Sequence, residues 1–282
     1  MLSETDFKTK LKRIYDEEKV RLGDNDLEDV VNHMLRYIGS TDSELRDNLI
    51  YPYFYKLLRE DCLSKEHWYR IIEVCIGEDY LLYKIDEGQT DGVFKRSFTV
   101  LVIGLFLERD KDKRYLDEIF SVKVMKAVIS YIEQEKDTRG FVEGKGWAHS
   151  VAHAADVLCI MAEHHYFDEK AISKILSAIQ KSILVENPYI DDEEVRLSLI
   201  LPKLLKKESG ENIILNWLGG INGELEMLIA ENKQSIRSYR LKWNVNNFYK
   251  ATYFLMNQKN LSINIQERLL DYMHEWHEKA YS

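Results

Sequence analysis

Apolar residues recur at helical spacing along almost the whole chain. Leu27, Val30, Val31, Met34, Leu35 and Ile38 follow one another at alternating steps of three and one, which lines one face of a helix and leaves the other polar. The same period predicts helices over 3–22, 26–38, 40–61, 64–76, 94–108, 115–136 (with a break near Val122), 168–185, 191–207, 210–230, 235–257 and 263–280, with a shorter piece at 80–85. Ser3 or Thr5 is expected to cap the first helix, and Gly39 to stop the second. No segment alternates with a period of two, so no strand is expected. Three prolines and 13 glycines in 282 residues suit long helices joined by short loops. The fold class is all-α.

Helices that alternate with short loops bury their faces on sequential neighbours, which points to HEAT-like helical-hairpin repeats forming an α/α superhelix, a single domain over 1–282. An internal echo supports repeats. Asp42-Ser-Glu-Leu-Arg-Asp-Asn-Leu-Ile-Tyr-Pro52 aligns without gaps on Asp192-Glu-Glu-Val-Arg-Leu-Ser-Leu-Ile-Leu-Pro202, a distance near four repeats of ~40 residues. Asp42 and Asp192 are placed to cap, Arg46 and Arg196 to reach a neighbouring repeat, and Pro52 and Pro202 to kink their helices.

One stretch departs from plain amphipathic patterning. Residues 137–163, DTRGFVEGKGWAHSVAHAADVLCIMAE, run from a glycine-rich loop into a helix apolar nearly all round, which implies burial on several sides. His149, His153 and Asp156 are spaced i, i+4 and i+7, so a helix through all three would set them on one stripe. They are the catalytic candidates: an imidazole titrates near neutrality and a carboxylate one turn away can fix its tautomer. The same three suit a first-row metal, with Asp137 or Glu143 as a fourth ligand. No cofactor is expected; if a metal is bound, zinc or another divalent ion at these three residues is the expectation. Arg139, Lys145, Gly146 and Trp147 are the ligand-binding candidates, because unpaired N–H groups at a helix start attract anions and the two cations would assist. The GxxxxGK[ST] spacing of a phosphate-binding P-loop is absent. The competing reading is structural, with the polar stripe bonded inside a core and Trp147 as an anchor. The other histidines, among them His33, His67, His164 and His165, read as surface or rim residues.

Composition narrows the partners. A net charge of −9 disfavours nucleic acid as a partner, yet the charge is uneven: 232–266 holds Lys233, Arg237, Arg240, Lys242, Lys250 and Lys259 and no acidic residue. In 235–257, Leu241, Val245, Phe248, Thr252 and Leu255 form the expected core stripe, with Arg237, Arg240, Asn244 and Asn247 opposite. No apolar run approaches the ~20 residues of a membrane span, and the first residues lack a secretion signal, so a cytoplasmic protein is expected. Cys62, Cys75 and Cys159 are distant and odd in number, which reads as reduced thiols. The expected partner is a protein, a peptide or a small anionic ligand.

The combination Ile38-Gly39-Ser40-Thr41-Asp42 with Leu45-Arg46-Asp47, then Arg96-Ser97-Phe98, Asp137-Thr-Arg139-Gly140, and Lys145-Gly-Trp147-Ala-His149-Ser-Val-Ala-His153-Ala-Ala-Asp156 resembles the bacterial family known only as domain of unknown function 2785, over about residues 30 to 210. The resemblance implies no activity. Two functions from different classes follow: a helical-repeat binding or interaction module with a central polar pocket, or a metal- or His-dependent hydrolase or transferase acting on an anionic small molecule.

Overall fold

In the computed structural model, which describes residues 2–231 and 235–281, helices carry nearly all regular structure. The chain divides into two compact units: Met1–Ile160 with His164–Tyr166, and Met161–Glu163 with Phe167–Ser282.

The first unit opens with α1 (Glu4–Tyr15), capped by Ser3, whose hydroxyl accepts the Asp6 N–H. This helix ends well before residue 22. In α2 (Asp24–Tyr37) the predicted face Leu27, Val30, Val31, Met34 and Leu35 is buried. The segment expected as one helix over 40–61 is a π-helical turn, Glu44–Ile50, running into α3 (Tyr51–Arg59), with Pro52 in the first turn of α3. Pro52 cannot donate a backbone hydrogen bond and its ring crowds the carbonyl four residues back, and widening the preceding turn accommodates both. Asp42 caps as expected, its Oδ1 accepting from Leu45 N at 3.2 Å. Next come α4 (Lys65–Cys75), opened by a Ser64–His67 capping box, α5 (Gly92–Lys113) and α6 (Glu118–Gln134), which runs unbroken past Val122.

Two short strands follow, β1 (Phe141–Val142) and β2 (Gly146–Trp147), paired antiparallel with Phe141 opposite Trp147. Strands of two residues are too short to leave a period in the sequence, so the expectation of none is corrected here. Then α7 (Ser150–Glu163) enters the core. A Cβ on Gly104 of α5 would lie 2.7 Å from Val157 Cγ2, and Ala154 and Ala155 are buried beside it: small residues let these helices approach closely.

Arg46 ties the hairpin to the helices. Its guanidinium is wholly buried and lies over Phe94 and Phe98, 4.3 and 4.7 Å from the ring centres. It donates to the Ser40 carbonyl at 2.6 Å and to the Lys145 carbonyl at 2.8 Å, and pairs with Asp47 at 2.7 Å. Gly146 packs directly over this group. Its φ is +79°, and a Cβ there would sit 2.8 Å from Ser43 Cβ and 3.1 Å from Arg46 Nη2.

In the second unit a 3-10 turn (Glu169–Ala171) leads into α8 (Ile172–Ile183), α9 (Glu193–Ser198), α10 (Leu201–Leu204), α11 (Gly210–Glu231), α12 (Ile236–Gln258) and α13 (Ile263–Tyr281). The helix expected over 191–207 is broken ahead of Pro202, which stands in the first turn of α10, as Pro52 does in α3. The echo fails at its first residue. Asp192 has φ +67° and makes no side-chain cap, so its expected capping role is corrected. Asn244, placed by periodicity opposite the core stripe of α12, is fully buried. It bonds the Val185 and Asn187 carbonyls and the Tyr189 N–H at 2.9–3.0 Å, which fixes the loop before α9. Leu255 is half-buried and Met256 takes the core place expected for it. Lys233 of the basic run lies outside the described residues.

Two predictions follow from these features. Gly144 also has a left-handed φ, +73°, but nothing lies within 4 Å of an added Cβ. Gly144→Ala should therefore lose only the conformational term of about 1–2 kcal/mol, whereas Gly146→Ala should lose about 2–5 kcal/mol once overpacking on Ser43 is added. Urea denaturation of both variants measures this, and equal losses would show that the Arg46 shelf does not constrain the strand.

The second concerns Glu193, buried at the start of α9 and accepting from Asp191 N at 3.1 Å. Burial pushes its carboxyl up to about 7. Because the folded value lies above the unfolded one, its stabilising contribution is complete below the ordinary glutamate value and is lost as pH rises through about 7. Relative to Glu193→Gln, the wild type should lose unfolding free energy across that window and then level off, as measured by denaturation at a series of pH values; parallel curves would refute it.

Candidate functional site

The polar stretch singled out in the sequence is tied down residue by residue. Asp137 is fully buried, and both its oxygens receive Arg139: Nε donates at 2.9 and 3.1 Å and Nη2 at 2.5 Å. Arg139 Nη2 also donates to the Thr90 carbonyl at 2.8 Å. The Ser150 hydroxyl bonds the Asp137 carbonyl, and Ala148 N and His149 N donate to Gly140 and Arg139 carbonyls. One loop earlier, Arg96 makes a two-pronged pair with Glu135 at 2.8 Å on each arm and donates to the Tyr83 carbonyl. Glu135 in turn accepts the Asp137 N–H. Val142 and Ala148 pack against Val93 and Phe94. The whole connection from α6 to α7 is thus fastened to α5 and to the turn before it.

This arrangement changes the roles expected of the loop. Gly144 and Gly146 form the bend and second strand of a hairpin and do not open the helix. Lys145 reaches back to Asp91, with Nζ 2.8 Å from each oxygen, and Arg139 is committed to Asp137, whose bond raises the arginine pKa. The two cations expected to hold an anion at a helix start are therefore each already neutralised by a carboxylate, and Asp137 is not free to serve as a fourth metal ligand. Trp147 is 41% exposed, its ring 5.0 Å from Phe141 and 4.2 Å from His149.

The predicted histidine stripe is displaced at its first member. His149 precedes α7 with φ +45°, so the i, i+4, i+7 geometry does not hold for it. Its ring still meets His153 edge to face at 5.7 Å, while His153 is buried with its ring against Phe98 at 5.3 Å. Asp156 is half-buried beside Tyr51, whose hydroxyl pKa is raised by burial and then by that carboxylate. A left-handed backbone at a non-glycine residue stores strain that the bonds at Arg139 and Ser150 hold in place.

A cavity that sequence reasoning missed lies beside this network. It holds about 410 Å³ and opens where the end of α2 faces the start of α5. Arg36, Lys84 and Lys95 contribute cations to its lining and Ser40 and Thr90 hydroxyls, and the lining carboxylate, Asp91, is the one held by Lys145. Lys95 differs from the other two. Its ammonium sits 4.2 Å from the centre of the Tyr80 ring and 4.6 Å from that of Tyr83, and among the described residues it makes no hydrogen bond. Burial lowers its pKa, with Asp79 acting in the opposite sense. Lys84, by contrast, pairs with Glu87 at 3.0 Å. The available signal was Lys95 itself, adjacent to the Arg96-Ser97-Phe98 motif, with Gly39 and Ser40 of the earlier motif on the opposite wall.

Neither the curated proteins nor the solved structures compared with this chain match it. The family described as "Protein of unknown function (DUF2785)" matches residues 81–254, which takes in α5, the fastened loop with its hairpin, α7 and most of α12. That span is more than half of the chain, and the protein belongs to the DUF2785 family.

Proposed function

We propose that the protein is a cytoplasmic binding module built from HEAT-like helical hairpins, and that its site is the basic cleft of the first unit, which takes a small ligand through a phosphate or carboxylate group. The repeat reading is supported by the matched Pro52 and Pro202 at the starts of α3 and α10. The location is supported by Cys62 and Cys75, which form no disulfide. The observation that carries the ligand class is Lys95. A half-buried ammonium held on two aromatic rings, with no carboxylate bonded to it, gains most from an incoming anion, because the surroundings have already desolvated it. The nearby Ser40 and Thr90 hydroxyls and the Arg36 guanidinium offer directional donors, which fits a small polar head group better than an apolar ligand.

A second reading, a His-dependent hydrolase or transferase for an anionic small molecule, draws on the strained His149, whose ring lies tilted against Trp147. It requires turnover of a chromogenic phosphate or carboxylate ester that His153→Asn abolishes. Turnover unchanged by that substitution, or none above the buffer rate, removes this reading.

For the binding module, isothermal titration with inorganic phosphate and with pyrophosphate is the direct measurement. Lys95→Met keeps the packing of the stem and removes the charge. It should weaken binding at least tenfold, since a charge-assisted hydrogen bond contributes about 1.5–3 kcal/mol, without lowering the melting temperature. Equal binding by wild type and variant, or no heat with either anion, would remove the cleft from consideration.

A further inference from the structure

A second set of chemically capable side chains lies in the first unit at the end of α5. Asp110, in the last turns of that helix, is fully buried, and His164 and His165 follow the end of α7. Asp110 Oδ1 accepts the N–H groups of Tyr115 and Leu116 at 2.7 and 3.0 Å, which forms the turn out of α5. Its other oxygen, Oδ2, faces two imidazoles: His164 Nε2 at 3.2 Å and His165 Nε2 at 3.9 Å. The two rings stack with centres 4.1 Å apart and planes 26° from parallel. Ligand atoms of all three residues lie within 4.8 Å of one another.

A hydrogen-bonded Asp–His pair accounts for His164 but not for His165. Among the described residues neither ring nitrogen of His165 has a hydrogen-bond partner, although both atoms are buried. Leaving such a nitrogen unmet costs about 1–3 kcal/mol, and a lone pair aimed at a carboxylate oxygen is a repulsive arrangement unless a proton or a cation lies between them. The sequence expectation that these histidines are rim residues is corrected for His164, which is buried, and half-corrected for His165.

We propose that Asp110, His164 and His165 form a binding site for a divalent first-row transition metal, with two imidazoles and one carboxylate on one face of the ion. Nitrogen and oxygen donors in this ratio suit iron(II), manganese, cobalt or nickel, with the remaining positions left to water or a further ligand. Rings stacked this closely correspond to neighbouring corners of an octahedron better than to two corners of a zinc tetrahedron. The outer support is already present, because Tyr115 N and Leu116 N hold the carboxylate by its other oxygen. The partly exposed His165 gives the ion a way in.

The proton balance is simple. Tyr166 N–H points to His164 Nδ1 at 3.3 Å, which puts the ring proton on Nε2, toward Asp110, when no ion is bound. Uptake moves that proton to Nδ1 with no net change in ring charge, and the long Tyr166 contact is given up.

The test uses untagged full-length protein stripped with a chelator, titrated with cobalt(II) followed by visible absorption and with nickel(II) by calorimetry. One equivalent of each is expected. His165→Ala should weaken binding at least tenfold and leave the melting temperature in place, since this side chain makes no hydrogen bond that folding would lose. Asp110→Asn is the stricter variant; because its carboxylate also forms the turn, its fold is checked by circular dichroism before titration. His149→Ala and His153→Ala should bind as the wild type does. Absence of binding, binding unaffected by His165→Ala, or binding lost in His153→Ala would each overturn the assignment, whatever the outcome for anions at Lys95.

Discussion

A buried guanidinium must have its donors met, and much of the first unit follows from how that requirement is satisfied at Arg46. Taking an arginine out of water is tolerated only where carbonyls, carboxylates or aromatic faces replace the lost solvent. Here the replacements are drawn from three places: the Ser40 carbonyl after α2, the Lys145 carbonyl in the hairpin, and the faces of Phe94 and Phe98 on α5. Each is distant in sequence from the others. The arginine therefore specifies a single arrangement of α2, α5 and the hairpin, and Gly146 is the residue whose missing side chain lets the strand lie against it.

The same device recurs on either side. Arg96 with Glu135 and Arg139 with Asp137 fasten the two ends of the connection between α6 and α7, each also bonding a carbonyl of the 83–90 turn. Together the three arginines convert an irregular segment into a fixed wall. This explains why a loop rich in charges and glycine is so well held without regular secondary structure beyond two short strands: its backbone groups are bonded to side chains that are themselves anchored in helices.

The distribution of free and occupied charge then separates the motif from the cleft beside it. Lys145 and Arg139, the obvious cations, are neutralised by Asp91 and Asp137. By holding Asp91, Lys145 also removes a negative charge from effective play in the adjacent cleft, where Lys95 is left against two tyrosine rings. The visible motif is in this sense a support, and the cleft it borders is the more open chemical surface. At the other end of α5, Asp110 combines the same two functions, organising a turn with one oxygen and facing histidines with the other.

The helical class, the buried face of α2 and the Ser64 start of α4 were legible in the sequence, because each depends on local spacing or on a cap a few residues away. The two-residue strands, the break in 40–61 into a π-helical turn and α3, and the burial of Asn244 were not, since they depend on partners far along the chain. Whether a charge is free is the clearest case: nothing adjacent to Lys145 in the sequence reveals Asp91, and nothing adjacent to Asp110 reveals His164. Period and composition thus determined an all-α chain with a polar centre, whereas only the tertiary structure decided which of its cations and imidazoles are already satisfied, because that depends on pairings across 54 residues that no local pattern records.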